Sequence, residues 1–417
     1  VVDEEHDPSY KQQEGLRYSA RDVAVLRAQR LGIPVVLGSA TPSLESYANA
    51  REGRYAHARL TQRATTGARM PAIRTVDTRA DRPHEGLTHA LILAMRKRLE
   101  NAEQSLIFVN RRGFSPVLFC RTCSWHSACS RCSANLVLHR GEHELRCHHC
   151  GHRERVPTIC PNCSGVDLAP IGHGTQRIEE ALREALPGAR IARVDRDSTA
   201  KRGALRGVLD DVRAGKVDVL VGTQMLAKGH DYPNLTLVGV IGADSALFSA
   251  DFRAAERLFS QLVQVSGRAG RAQQPGEVLI QTDFPDHPLY GAVALQDYER
   301  FANSALDERR LAGFPPFSTI ALLRAESKRT GEAQSFLKVA ARTARKMAAR
   351  NAKSAIEVFD PVAAPLERKA GFERAQLMVR APRRASMQGF LPEWKRSLGE
   401  LGARHVRWAI DVDPQEV

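Results

Sequence analysis

All eight cysteines of this 417-residue chain lie between residues 120 and 163, as four Cys-x-x-Cys pairs: Cys120/Cys123, Cys129/Cys132, Cys147/Cys150 and Cys160/Cys163. A Cys-x-x-Cys turn offers two thiolates to one ion, and two such turns complete a closed, tetrahedral four-thiolate zinc site. Four turns therefore hold two zinc ions. A disulfide framework needs an oxidising compartment, and nothing in the sequence resembles a secretory signal. A redox Cys-x-x-Cys motif is expected once, not four times in succession. The segment is too polar to fold on an apolar core, so metal binding is expected to supply its folding energy.

The gaps between the pairs are 5, 14 and 9 residues. A sequential scheme joins the first pair to the second and the third to the fourth. A nested scheme joins Cys120/Cys123 to Cys160/Cys163 around an inner Cys129/Cys132/Cys147/Cys150 site. The inner gap suits a small hairpin, with Leu136, Val137 and Leu138 on one arm and Glu144 and Leu145 on the other. That is zinc-ribbon spacing and favours the nested scheme. His126, His139, His143, His148 and His149 are spare donors beside eight thiolates, and are read as surface residues or nucleic-acid contacts.

Carboxylates and arginines supply a second chemistry. Val1-Val2-Asp3-Glu4-Glu5-His6 reads as a buried strand delivering acids at its C-terminal end. P-loop ATPases hold Mg2+ and orient water in this way, with Asp3 on the metal and Glu4 as the base. No G-x-x-x-x-G-K-[ST] occurs in the chain, so the sequence is read as the C-terminal portion of a longer protein, unable to hydrolyse ATP by itself. Val35 to Pro42 reads as another buried strand ending in Gly38-Ser39-Ala40-Thr41, where small residues allow close approach and hydroxyls carry hydrogen bonds. Val219 to Thr223 is a strand leading through Gln224 to Lys228-Gly229-His230-Asp231. Gln264-Val265-Ser266-Gly267-Arg268-Ala269-Gly270-Arg271 places two arginines three residues apart among glycines, able to reach a triphosphate. A helix C-terminus capped by Gly270 would explain one of these glycines, not the string.

In this order the motifs resemble those of the superfamily 2 DNA helicases, and the cysteine-rich insertion narrows the resemblance to the PriA family of replication-restart helicases. Asp3-Glu4-Glu5-His6 looks like motif II, Gly38 to Thr41 like motif III, Gly222 to Asp231 like motif V, and Gln264 to Arg271 like motif VI. Asp7 to Tyr18 is similar to the family's aromatic-rich loop, which senses DNA; Leu16 departs from an aromatic, leaving Tyr10 and Tyr18 as its rings. The resemblance implies two zinc ions in the nested arrangement, and ATP with Mg2+ between two lobes. Asp3, Glu4, Arg268 and Arg271 are then catalytic. Glu5, His6, Gly229 and Gln264 join Asp3 and the arginines around the nucleotide. Tyr10, Lys11, Tyr18, Thr223, Gln224 and Lys228 would contact DNA. It further implies a 3′-to-5′ helicase acting on branched and single-stranded DNA, with primosome proteins, single-stranded DNA-binding protein and the replicative helicase loading machinery as partners. Two alternatives are a zinc-stabilised scaffold that binds forks without hydrolysis, and an RNA helicase of the same superfamily.

These residues need elements to position them. The implied fold class is α/β: RecA-like helicase lobes, the first partial, with an inserted two-zinc module and a C-terminal mixed α/β domain. Residues 1–60 are the remnant of lobe one and 61–87 the crossing between lobes. Lobe two takes 88–117 and 168–283, interrupted by the zinc module at 118–167; residues 284–417 form the C-terminal domain. Lobe two begins with a helix near Ala90 to Leu99 and a strand from Ser105 to Asn110. The apolar face of Ile178, Leu182 and Leu186 marks a helix, Ile191 to Asp195 and Glu277 to Gln281 strands, and the alternation a parallel sheet. In the C-terminal domain, Ser318 to Arg324, Ile356 to Asp360, Gln376 to Val379 and Val406 to Asp411 read as strands and 332–350 as a helix. Arg368, Lys369, Arg374, Arg380, Arg383 and Arg384, with Phe372 among them, form either a solvated basic face or a DNA surface. The net charge of +14, from 61 basic against 47 acidic residues, suits a polyanionic partner. No apolar run is long enough to span a membrane, and a cytoplasmic, nucleoid-associated protein is expected.

Overall fold

A computed structural model describes the chain except residues 61–69, 111–116, 121, 124, 126, 132–135, 140–143, 147–151, 172–174, 196–197, 200–202, 227–231, 248–250, 271–274, 351–354 and 417. It divides into two compact units, one of Val1–Arg51, Pro116–Ile171 and Leu306–Val417, the other of Glu52–Ser115 and Gly172–Ala305.

The second unit is built on a six-stranded, all-parallel sheet. Its strand order is Ala72–Asp77, Glu277–Thr282, Leu235–Ile241, Gln104–Val109, Val219–Gly222, Ile191–Val194. Every residue of Gln104–Val109 and of Leu235–Ile241 is buried. Continuous burial is what helices on both faces impose on parallel strands. Leu106 and Phe108 face a core shared with Leu258, Leu262 and Val265, while Ile107 and Val109 face one shared with Leu91, Met95, Ile178 and Leu182. This is the RecA-like lobe expected for residues 88–117 and 168–283, with two differences in its limits. Ala72–Asp77 lies in the expected crossing but forms the edge strand, pairing in register with Glu277–Thr282. Its alternation of Ile and Val with polar residues is short, and falls below the threshold of a clear sequence signal. Beyond residue 283, Leu289, Tyr290, Val293 and Phe301 still belong to the lobe's core, and Phe301 stacks on Phe259 at 4.2 Å.

In the first unit, residues 117–171 form a small antiparallel sheet of Arg153–Arg155, Glu144–Arg146, Val137–His139, Val117–Cys120 and Leu168–Ile171. Leu138 opposes Leu145 in the expected hairpin. Among the described residues its buried core is Leu118, Cys129, Leu136 and Leu145. Residues 319–412 form an antiparallel sheet covered on one face by Glu332–Arg350 and Arg384–Glu400, a split β-α-β arrangement. Trp394, fully buried, donates its indole N–H to Ala340 O. Val362–Lys369 and Arg384–Glu400 had no counterpart in the sequence reading: the strand alternates weakly and the helix contains Pro392.

The expected buried strand at Val35–Gly38 is reduced to one parallel bridge, Val2 to Leu37, and Val36 is 57% exposed. The bridge buries Val2, at 9% exposed, but leaves Leu37 half-buried. Among the described residues no helix is long and apolar enough to cross a membrane.

Candidate functional site

Cys120, Cys123, Cys160 and Cys163 bring their four sulfurs within 4.8 Å of one another. Cys120 Sγ lies 3.6 Å from Cys163 Sγ, and Cys123 Sγ 3.6 Å from Cys160 Sγ. A tetrahedron with Zn–S bonds of about 2.3 Å has sulfur–sulfur edges of about 3.8 Å. The donor set therefore fits zinc, and the outer pairs of the nested scheme are the ones brought together. Backbone turns hold the geometry. Cys120 N donates to Trp125 O at 2.7 Å, and Cys160 N to Gly165 O at 2.8 Å. Gly165 leaves room for the sulfur, since a Cβ there would stand 3.2 Å from Cys163 Sγ. Asn162 donates its side-chain amide to Cys123 Sγ and its backbone N–H to Cys160 Sγ, both at 3.4 Å. Such outer-shell donors orient the ligands.

The Asn162 hydrogen bond, with that of the Trp125 backbone, pulls Cys123 down to about 6. The Gly165 N–H favours the Cys163 thiolate, but hydrogen bonding with Cys123 and burial outweigh it and push that thiol up to about 12. A divalent cation at the centre is what allows all four to ionise together. Of the inner set, Cys129 is buried and its sulfur accepts from Arg131 N at 3.4 Å. Cys132, Cys147 and Cys150 lie outside the described residues, as do His126, His143, His148, His149 and the His139 side chain.

The acidic string of the first unit divides into two roles. Asp3 and Glu4 are exposed. Asp3 Oδ1 accepts from Glu4 N, and Tyr10 Oη donates to Asp3 O at 2.7 Å. His6 Nδ1 meets Ser39 Oγ at 2.7 Å, joining the first motif to the Gly38–Thr41 segment. Glu5 corrects the sequence reading. It was expected at the nucleotide, yet it is 2% exposed. Its Oε1 accepts from Ser43 N at 2.6 Å, and its Oε2 from Ser43 Oγ, Ser46 Oγ and Arg21 Nη1 at 3.0–3.1 Å. Buried and turned toward these protein donors, the carboxylate faces the interior rather than a solvent-open nucleotide site. Burial works against the Arg21 charge, but Asp22, Glu45 and Glu5 outweigh it and hold the guanidinium protonated.

Lys11 is a second correction. Expected to contact DNA, it is 8% exposed, with Nζ 3.1 Å from Asp411 Oδ1 and donating to Val412 O at 2.5 Å. A partner carboxylate on a neighbouring strand was invisible 400 residues away. Tyr18 remains 45% exposed. Three of the six basic residues expected to present a face are tied into the fold: Arg380 pairs with Glu357, Arg384 with Asp413 at 2.7 Å, and Arg374 lies 3.9 Å from Glu326. Phe372 packs beneath Lys328 and Arg407.

In the second unit Thr223 and Gln224 leave the sheet where Val219–Gly222 turns into a short 3-10 helix, Gln224–Leu226. A Cβ on Gly222 would stand 2.5 Å from Val194 O, so this strand end requires glycine. Gln264 lies in the helix Ala254–Ser266, which ends at Gly267 rather than Gly270. Gly270 takes a left-handed φ of 70° and donates to Leu235 O at 3.0 Å, anchoring the turn that carries Arg268. Burial pushes the Tyr232 phenol up to about 12 against the pull of the Arg268 and Arg213 charges. Lys228, Gly229 and Arg271 lie outside the described residues. Sequence reasoning missed Arg21, Ser43, Ser46 and Asn162. A Ser-x-x-Ser spacing at a helix start and an amide between two ligand cysteines were the available signals.

Three family models match the chain: the primosomal protein N C-terminal domain over residues 310–415, the PriA DNA helicase Cys-rich region over 129–155, and the helicase conserved C-terminal domain over 143–273. The replication restart protein PriA of Haemophilus influenzae is 42% identical over 417 residues, covering 100% of this chain and 56% of that protein. That of Bacillus subtilis is 39% identical over 424 residues, covering 99% and 51%. The chain thus spans about half the length of the curated relatives it matches. Among solved structures, RecG bound to a three-way DNA junction aligns over 66% of this chain and 27% of its own at 14% identity, with a TM-score of 0.36 that is too low to add to the argument. With the alignment running end to end and the cysteine-rich and C-terminal models both matched, this chain is similar over its whole length to the PriA replication restart proteins.

Proposed function

We propose that the protein is an ATP-dependent 3′-to-5′ DNA helicase that recognises stalled or branched forks and starts primosome assembly. The observation that carries this reading is the helicase match over residues 143–273, in a chain that aligns whole with replication restart relatives. On this reading Asp3 holds Mg2+ and Glu4 orients and deprotonates the attacking water, while Arg268 and Arg271 stabilise charge on the transferring phosphoryl group. His6, Gly229 and Gln264 line the nucleotide. Bound ATP supplies the free energy for strand separation. Tyr10 and Tyr18 meet bases, and Thr223, Gln224 and Lys228 the DNA backbone. Lacking a phosphate-binding loop, these 417 residues turn over no ATP by themselves on this reading.

Two zinc ions are proposed, one in the outer thiolate set and one in the inner set of Cys129, Cys132, Cys147 and Cys150. The zinc module serves as a wedge at the fork or a docking site for primosome proteins, and the protein works at the nucleoid with single-stranded DNA-binding protein and the replicative helicase loader. The deciding experiment measures ATP hydrolysis by the full-length gene product with and without forked DNA, with Glu4→Gln as control. Stimulation by forks that vanishes in the variant supports the motor. Tight fork binding with no turnover refutes it in favour of a scaffold.

A further inference from the structure

Glu4 occupies a left-handed backbone conformation, φ 47°, unusual for a residue with a side chain. Such a conformation costs on the order of 1–3 kcal/mol and persists only where the surroundings over-determine it. The restraints on either side are visible. Asp7 N donates to Glu4 O at 2.8 Å, and Glu5 N to Gly38 O at 3.1 Å. The stronger restraint is the Glu5 side chain, clamped by Ser43, Ser46 and Arg21 as described above. Those donors come from two separate places. Ser43 and Ser46 sit at the start of the helix Leu44–Arg51, just past the Gly38–Thr41 segment. Arg21 belongs to the first turn of the helix Ala20–Leu31, which Ser19 caps at the end of the aromatic-rich loop. Arg21 Nη1 also donates to Ser43 Oγ at 2.8 Å, closing the network.

We propose that Glu5 is a positioning residue, whose buried carboxylate locks Glu4 in its strained backbone conformation, and that Arg21 ties this lock to the end of the 7–19 loop. The carboxylate makes no contact with nucleotide. It acts through the peptide it shares with Glu4, fixing the direction in which the Glu4 side chain leaves the backbone. A change at Ser19, where the loop becomes helix, reaches Glu4 through two side chains, Arg21 and Glu5.

This rests on reading Asp3 and Glu4 as the ATPase carboxylates, and the test separates the two. In the full-length protein, Glu5→Gln keeps the side chain's shape but converts an acceptor into a donor facing Arg21 and two hydroxyls. The expected result is a kcat for DNA-stimulated ATP hydrolysis at least tenfold lower, with the KM for ATP and the affinity for a fluorescein-labelled fork each within twofold of the parent. Ser46→Ala removes one of the four donors and should lower kcat about threefold. Arg21→Lys should retain more of the DNA stimulation than Arg21→Gln, because it keeps a cation on the Glu5 carboxylate. A structural role alone would lower the yield of folded enzyme without changing kcat per folded molecule. Should Glu5→Gln fail to fold, Ser46→Ala decides. Turnover within twofold of the parent in the folded variants overturns the proposal, while turnover surviving in Glu4→Gln overturns the ATPase reading beneath it.

Discussion

The four sulfurs of the outer cysteine set fix both the partners and the size of a zinc prediction. Cys120, Cys123, Cys160 and Cys163 lie within 4.8 Å of one another, with cross-turn pairs at 3.6 Å, close to the edges of about 3.8 Å that four Zn–S bonds enforce. Structural zinc binds with about 10–16 kcal/mol in small thiolate sites. Shared over four ligands, one lost thiolate costs about 3 kcal/mol, more than a hundredfold in affinity. Single substitutions leave the pairing undecided, because either scheme loses one ion. Double substitutions decide it. Cys120→Ser with Cys160→Ser strikes one site in the nested scheme and two in the sequential one. Cys120→Ser with Cys129→Ser does the reverse. Zinc per chain, measured by atomic emission after challenge with a chromogenic chelator, should be near two in the parent. It should fall to one in the first variant and to none in the second. One ion retained by Cys120→Ser/Cys129→Ser and none by Cys120→Ser/Cys160→Ser would refute the nested arrangement and the geometric reasoning behind it.

Three further outcomes follow from groups away from the metal. Lys11→Met breaks an ion pair whose side chains are 6% and 5% exposed; with Arg324 still 3.7 Å from Asp411, the loss should sit at the low end for buried pairs, about 3 kcal/mol in urea unfolding, and a change below half that would show the pair is not buried in solution. Gly222→Ala drives a Cβ to 2.5 Å from both Val194 O and Leu226 Cδ1, so thermal unfolding should drop by the equivalent of about 1–3 kcal/mol, and an unshifted midpoint would contradict the close strand-end packing. At Asp195, burial opposes the charge, but hydrogen bonds from Thr175 and Ser198 and the Arg193 charge outweigh it and hold the carboxyl below its usual range. A depressed folded value stabilises above the unfolded value of about 3.9 and loses that stabilisation as pH falls through the folded value. The stability gap between the parent and Asp195→Asn should therefore be constant from about pH 7 to 5 and narrow below about 4; a gap that widens in acid would reverse the sign.

What the sequence made legible follows from the range over which each signal acts. The cysteine pairs and the hairpin between them are local, and spacing alone pointed to the outer tetrad. The parallel sheet was equally plain, because strands buried on both faces carry continuous apolar runs, such as Leu106–Val109. The failures share a cause. Glu5 and Lys11 look like functional residues by type and by neighbourhood, but each is satisfied by a partner distant in sequence: Ser43 and Arg21 for the first, Asp411 for the second. A charged residue in a motif reads the same whether it faces a ligand or the interior, and only the location of its counter-charge separates the two. Ala72–Asp77 shows the same limit for an edge strand, whose pairing with Glu277–Thr282 spans 205 residues by the Thr75–Ile280 register. The misread carboxylate is also the more informative one. A motif acid facing solvent, like Asp3 or Glu4, is free to act, whereas one sealed by four donors constrains the backbone of its neighbour. The Glu4 φ of 47° is where that constraint becomes measurable.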